Sequence, residues 1–426
     1  MTDTYVRSSF LQPDVAMPRL VGVLVGQFTN IWWECGDDLP DLGPISTLRQ
    51  QRERAALFEQ YLKNVTSAFE KMPPDGPART AAARTIRDLS YALARSALGM
   101  KEQHLQAIQS YDFASVARQF AQMARQFDPA IGDADIFQAS RNVISMNFMQ
   151  VLLGLPVEMT PAIFAYSMLY PYTDNYLDDP AISGAVKRSF NERFYRRIAG
   201  ELIRPANAHE QIICDLIEMI EGQFQRRRYP QVYDSLLAIH IAQSNSLNLL
   251  RTNASPYEVD VLGICFEKGG TSVLADGYLV NGELDEVQRE FMFYYGTFTQ
   301  LLDDLEDTRQ DLNEGRMTIF SQTARHWPLD AVTNRTFHFA GRVLEALDAL
   351  AAPGAEPLKE LIRSNVTPLL IGEAGSLGQF YTRAYLRTLE PHSLFRFSFL
   401  QKQRRKLSRQ RLSLIRLVEA LAEPAS

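Results

Sequence analysis

The chain has 426 residues, enough for one large domain or two to three ordinary ones. With 46% hydrophobic and 22% charged residues it is ordinary globular material, neither disordered nor fibrous. A net charge of −6 and a pI near 5.7 exclude a bulk electrostatic case for nucleic acid. The three cysteines, Cys35, Cys214 and Cys265, are odd in number and far apart, which argues against a disulfide framework or a zinc site and for a reducing compartment.

Residues 1–45 contain Pro13, Pro18, Pro40 and Pro44 and read as irregular, with one strand-like run over Val21–Phe28. The apolar run Leu20–Gly26 is too short to span a bilayer, no basic segment precedes it and no cleavage site follows, so a soluble cytoplasmic protein is expected. Beyond it, apolar residues recur at helical spacing. Breaks fall at 71–78, 97–100, 127–135, 153–161, 178–184, 204–208, 253–256, 280–283, 313–316 and 352–357. Thr160 before Pro161, and Ser255 before Pro256, pair a helix N-cap with proline at the first helical position. The pattern predicts an all-α bundle of about twelve helices, fifteen to thirty residues each, larger than a four-helix bundle. One helical domain is expected over 76–426, after a partly irregular extension over 1–75.

In chain order, the first chemically pointed stretch is YTDNYLDDP, Tyr172–Pro180. Asp174 and Asp178 would stand one turn apart, a repulsive spacing. They share a face with Ile163, Ser167 and Tyr170, at the end of a largely apolar wall. A helix ending before Pro180 also puts them where the macrodipole disfavours anions. The alternative is that Asp178 or Asp179 caps the next helix, which explains one aspartate but not three.

In FEKGGTSVLADGYL, Lys268 precedes Gly269-Gly270 inside an otherwise helical segment. Two glycines there cost about 2 kcal/mol, which a helix break presenting backbone groups beside Lys268 would justify; a helix end at Gly269 with an ordinary surface lysine is the alternative. Downstream, YYGTFTQLLDDLEDTRQD spans Tyr294–Asp311. Phe291, Tyr294, Phe298, Leu301, Leu302 and Leu305 form its apolar stripe, while Gly296, Gln300, Asp303 and Asp307 share the opposite face. Asp303, Asp304, Glu306 and Asp307 put four negative charges into five residues before the first cation, Arg309. Gly296 in a helix interior suggests that something approaches the backbone closely. Paired hard oxygen ligands are what Mg²⁺ takes when it is shared with substrate phosphates. Arg316 follows in the next loop, so cations at the rim of two facing carboxylate clusters suit a bridged diphosphate.

From Phe395 the chain turns basic, with eight Lys/Arg between Arg396 and Arg416. Apolar residues recur there at roughly helical spacing. A docked amphipathic helix, arginines closing over a diphosphate, and contact with an anionic membrane all remain open. The six histidines are dispersed and show no ligand spacing.

At these residues the sequence resembles the class I isoprenoid synthases, the helical superfamily of trans-prenyl diphosphate synthases and class I terpene synthases. GTFTQLLDDLED is similar to the second aspartate-rich motif, Gly-x-x-Phe-Gln-x-x-Asp-Asp-x-x-Asp, with Gly296, Gln300, Asp303, Asp304 and Asp307 in place and Phe298 two positions before Gln300. DNYLD (174–178) resembles the first motif, Asp-Asp-x-x-Asp, with Asn175 in second place. GRMT (315–318) resembles Gly-Lys-x-Thr, EKGGT the Lys-Thr motif, and AQSNSL (242–247) more loosely Gly-Gln-x-x-Asp-Leu. The likeness covers roughly residues 130–320.

The resemblance implies an all-α fold around a deep central pocket, with Mg²⁺ held by Asp174, Asp178, Asp303, Asp304 and Asp307. It implies departure of the diphosphate from an allylic prenyl diphosphate to leave a carbocation. Lys268 and Arg316 would neutralise charge on the diphosphate; Tyr170, Ser167 and Gln300 would also meet the substrate. Phe164, Tyr166 and Tyr170 would shield the cation. Two arginine-bearing segments that chain-elongating synthases use for a second diphosphate, Gly-Gly-Lys-x-x-Arg and Arg-Arg-Gly, are absent. That favours a one-substrate terpene synthase, although terpene synthases usually have an Asn-Ser-Glu triad where this chain has transferase-type aspartates. Chain elongation with isopentenyl diphosphate is the alternative. Squalene- and phytoene-type synthases differ at the second motif and the Lys268 segment. A non-catalytic helical scaffold is the third possibility, and a homodimer is an open expectation.

Overall fold

A computed structural model describes residues 16–72, 76–179, 181–250 and 258–407. In chain order the helices are α1 (Ala16–Glu34), α2 (Leu48–Glu70), α3 (Gly76–Ser96), α4 (Glu102–Ser110), α5 (Phe113–Phe127) and α6 (Asp133–Leu152). There follow α7 (Pro161–Asp178), α8 (Gly184–Ile198), α9 (Ala208–Gln223), α10 (Pro230–Ser246), α11 (Val261–Asn281) and α12 (Glu286–Glu306). The last six are α13 (Thr308–Glu314), α14 (Ile319–Ala324), α15 (Asp330–Ala349), α16 (Glu356–Ser376), α17 (Arg383–Leu389) and α18 (Phe397–Leu407). The described residues contain no strand, and none of their helices is long and apolar enough to cross a membrane. The fold is all-α as expected, but its helices are more numerous and shorter, from 6 residues in α14 to 23 in α2. The three cysteines are free and buried.

Helix punctuation follows the sequence closely. Thr160 accepts a hydrogen bond from Ile163 N, and Pro161 occupies the first turn of α7. The expected start at Ser255–Pro256 and the basic stretch beyond Leu407 lie outside the described residues.

The strand-like run over Val21–Phe28 is helical. Met17, Val21, Leu24, Val25, Phe28 and Trp32 are buried in the main core, at intervals of three and four that only a helix brings onto one side. Phe28 stacks on Tyr294 with ring centroids 4.2 Å apart, and Trp32 sets its edge against Phe266 and Phe339. Within the stretch read as irregular, α1 is therefore part of the core. The α2–α3 pair has a small core of its own around Val65, Ala83 and Ile86. It is tied to the C-terminal region by Gln51, whose amide donates to the carbonyls of Glu390 and Ser393.

At the centre runs α11, packed against α1, α6, α7, α10 and α12. It is buried almost all round, as a central helix must be. The break expected at Gly269-Gly270 does not occur, and the helix is continuous. The glycines serve packing instead. A Cβ on Gly269 would lie 2.4 Å from the carbonyl oxygen of Gly296, and one on Gly270 would lie 2.5 Å from the Phe293 ring. What approaches Gly296 closely is thus the backbone of α11.

In an open helix position, glycine to alanine stabilises by about 1 kcal/mol. Gly296→Ala should do the reverse, because its Cβ would stand 2.2 Å from the carbonyl oxygen of Gly269, a backbone atom that cannot swing away. A loss of about 1–3 kcal/mol is expected in urea unfolding. Gly22→Ala, with nothing within 4 Å of its Cβ, should be neutral or stabilising. Equal behaviour of the two variants would show that the helices are not held in contact there.

Candidate active site

The first acidic stretch ends α7. Pro171 sits inside the helix without breaking it. Asp174 is half-buried one turn after Tyr170, with Thr173 Oγ1 3.2 Å from its Oδ1. α7 closes at Asp178, whose side chain lies outside the described residues, and Asp179 forms the C-cap. The next helix is capped by Ser183, so neither Asp178 nor Asp179 serves as its N-cap. The amide of Asn175 donates to Asp135 Oδ1 of α6 at 2.9 Å. An aspartate at 175 would face Asp135 with like charge, which gives a physical reason for the departure.

The second acidic stretch ends α12, and its carboxylates part into two groups. Asp303 and Asp307 are exposed, and Asp307 is the hinge residue between α12 and α13. Asp304 turns inward, 5% exposed, and accepts from Gln300 Nε2 at 2.8 Å with the Cys265 thiol of α11 beside it. Burial pushes Asp304 up to about 6, against the opposing pull of Gln300, Cys265 and Lys268. Gln300 is therefore committed to Asp304, and Asp304 lies on the α11 side of the helix, away from Asp303 and Asp307.

Asp303 combines exposure with a pKa raised first by burial; Arg141 of α6 and Lys268 pull it down, while Asp307 and Glu306 push it up. Tyr170 shows the same combination, partly accessible yet raised by burial. Both acidic groups stand at helix C-termini, where the backbone dipole adds to the repulsion.

Lys268, Ser272 and Asp276 occupy one face of α11 at successive turns. Tyr170 Oη lies 3.4 Å from Ser272 Oγ, and Asp276 acts on both Tyr166 and Tyr170. α7 thus runs alongside α11 with Tyr170 at the level of Ser272. The Lys268 ammonium makes no ion pair with any described residue, while its charge reaches Asp303, Asp304 and Cys265.

Other expected contacts fall elsewhere. Ser167 is fully buried between α6 and α7, 3.2 Å from the Asn142 amide. Phe164 packs on Phe120 and Phe127 of α5, on the side of α7 away from α11. Arg316 pairs with Asp311 at 3.6 Å, and that buried aspartate is pushed up to about 7 by burial and by Asp304.

Four residues with no role in the sequence reading join the site. Arg141 faces Asp303 from α6. Asp311 falls one turn after Asp307, a spacing that was legible, although its burial depends on the turn into α13. Glu373 of α16 is raised by burial and by Glu306 and Asp307, and it pairs with Arg404 at 3.2 Å. Arg404 of α18 also donates to the Glu306 carbonyl at 2.6 Å, tying the basic C-terminal helix to the end of α12. Among the described residues, no three His, Cys, Asp or Glu side chains converge closely enough to hold a metal ion by themselves.

Compared with models of known protein families the chain matches none, and a search of curated proteins finds no match.

Asp311 allows a clean titration test. A carboxyl raised to about 7 in the folded protein, from an ordinary value near 3.8, destabilises the fold only once the unfolded chain ionises. The loss begins near pH 4, grows to about pH 7 and is constant above. Asp311→Asn should therefore gain stability relative to the parent chain across that interval and hold the gain beyond it, read from urea midpoints. A gain that shrinks with rising pH would contradict the raised pKa.

Proposed function

We propose that the chain is a class I terpene synthase, an isoprenoid-synthase-type bundle whose central pocket takes one allylic prenyl diphosphate with Mg²⁺. One observation supports this above the others. Lys268 on the central helix makes no ion pair with any described residue, and its charge reaches Asp303 and Asp304 at the C-terminal end of α12. Helix ends crowded with anions, with Lys268 and Arg141 close to Asp303, suit a ligand that carries both metal charge and phosphate charge.

Exposure together with desolvation at Asp303 and Tyr170 supports a recess at this place, since a side chain reached by water yet surrounded by protein lines a concavity. Asp174, Asp303 and Asp307 offer hard oxygen donors, with Asp178 the fourth of the expected set. Few protein ligands suffice for Mg²⁺, which keeps waters and takes substrate phosphate oxygens. When bound, the ion supplies Lewis-acid stabilisation of the departing diphosphate. Lys268 and Arg141 neutralise charge on the same group from α11 and α6. Tyr170, one turn inward from Asp174, is placed to exclude water from the allylic carbon. Arg316, engaged by Asp311, is left at the rim.

The absence of both arginine-bearing segments favours a single diphosphate site over chain elongation. The same reading carries a cytoplasmic setting, with the basic stretch from Phe395 available to an anionic membrane.

Binding can be tested without turnover. Pyrophosphate and Mg²⁺ together should raise the melting temperature, by an amount equivalent to about 2.7 kcal/mol at a hundredfold excess over Kd. Asp303→Ala and Asp307→Ala should each lose that rise while melting at or above the parent temperature in its absence, because each removes one anion from a repulsive group. A rise that persists in both variants would place the diphosphate elsewhere.

A further inference from the structure

The helix pair α2 and α18 forms a face that the candidate active site does not use. Phe58 of α2 sets its ring edge against Phe395 and Phe399, with centroids 5.8 and 5.9 Å apart. The Gln51 amide holds the carbonyls of Glu390 and Ser393, and Lys402 Nζ pairs with Glu59 at 2.9 Å further along, so the two helices run side by side in one direction. Elsewhere on its surface α18 is fixed to α16 by the Gln401 amide, which donates to the Gly375 carbonyl, and by Arg404, which pairs with Glu373. Held in this way, α18 presents Lys402, Arg405 and Lys406 to solvent.

A groove of about 570 Å³ between the two helices is lined by Ala55, Ala56 and Phe399 and by the cations Arg52, Arg396 and Lys402. A second hollow of about 360 Å³ shares Ser398 and Lys402 with it and continues to Arg405 and Lys406. These five cations stand against Glu59 and Glu390, on a chain whose net charge is −6. Arg52 and Lys406 make no ion pair with any described residue. Leu48, one turn before Arg52 on the same face of α2, is 55% exposed, and Ile45 just ahead of the helix is 68% exposed.

The arrangement selects its partner. The cations are spread along two helices and two of them are already paired, which suits an extended field of negative charge better than one tightly held anion. Near an anionic lipid surface each Lys or Arg adds about fivefold in affinity without direct ligation. The exposed aliphatic side chains beside them match the apolar boundary beneath lipid headgroups, which a polynucleotide lacks. The sequence past Leu407 adds Arg409, Arg411 and Arg416, charge of the same sign.

We propose that this face of α2 and α18 is a docking surface for an anionic lipid membrane, with the five cations meeting headgroups and Ile45 and Leu48 entering between them. α2, which falls within the N-terminal extension of the sequence reading, supplies half of the surface. The proposal goes beyond the synthase reading and stands whether or not the chain turns over a diphosphate.

The test is cosedimentation of the full chain with vesicles of phosphatidylcholine, alone or with about one-third phosphatidylserine. The parent chain should bind the second kind and not the first, and raised salt should release it. Arg52→Ala and Lys406→Ala should each weaken binding about fivefold, and together about twenty-five-fold. Both side chains are exposed and outside the described ion pairs, so melting temperatures should match the parent. Leu48→Ser should weaken binding by at least about fivefold without changing its salt dependence. Equal binding to both kinds of vesicle overturns the proposal. So does phosphatidylserine-dependent binding that survives Arg52→Ala, because the attraction then comes from the chain beyond Leu407 alone. Release from vesicles by an equal concentration of soluble glycerophosphoserine would make this a free-anion site instead. Tighter binding to single-stranded RNA than to vesicles, unchanged in Leu48→Ser, would make it a nucleic-acid face, and either result overturns the membrane assignment.

Discussion

At Gly269 and Gly296 two helix backbones meet with no side chain between them, and the rest of the molecule is arranged around that contact. A Cβ on either residue would penetrate the other helix's carbonyl. The closeness fixes how α12 is rotated and slid against α11. With that register, Asp304 points at Cys265 and Lys268, and Asp303 and Asp307 remain open to solvent. Further along the same face, α11 sets Ser272 against Tyr170 and Asp276 against Ser145. A slip of one residue would rotate each of these pairs by about 100°.

Charge is distributed against stability in this region. Asp276, Asp304 and Asp311 are buried carboxyls pushed up to about 8, 6 and 7, and among the described residues only Asp311 has a cation within 4 Å. The exposed members of the acidic groups crowd the negative ends of α7 and α12. Elsewhere, Arg193 pairs with Glu210 and Arg197 with Glu221. Buried carboxyls raised in this way make the region a candidate place for ligands.

Much of this was legible in the sequence. Proline, glycine and capping residues marked many of the helix boundaries, though not the connections at 111–112, 224–229, 325–329 and 377–382, and the second aspartate motif pointed to the candidate site. The run over Val21–Phe28 misled because Gly22 and Gly26 interrupt the apolar residues, so that neither a helical nor a strand period is obvious over eight positions. The glycine pair beside Lys268 misled for a different reason. Its cost in helix propensity was visible, but its benefit lies in a partner glycine 26 residues away from Gly270, at Gly296, and only tertiary contact reveals that. Adjacent aspartates 303 and 304 look equivalent in one dimension and face opposite environments in three. Asn175 looked like a weakened metal motif until Asp135 appeared beside it.

The central claim is that this arrangement serves one diphosphate substrate. Its most direct test is pyrophosphate release by the purified chain with Mg²⁺ and a single allylic diphosphate, short to long prenyl chains in turn, with gas chromatography of the organic extract. The account predicts release together with an apolar hydrocarbon or alcohol, with isopentenyl diphosphate unnecessary and at most competing for the site. Turnover only when isopentenyl diphosphate is added, yielding a longer diphosphate, would contradict it, and so would no release at any chain length.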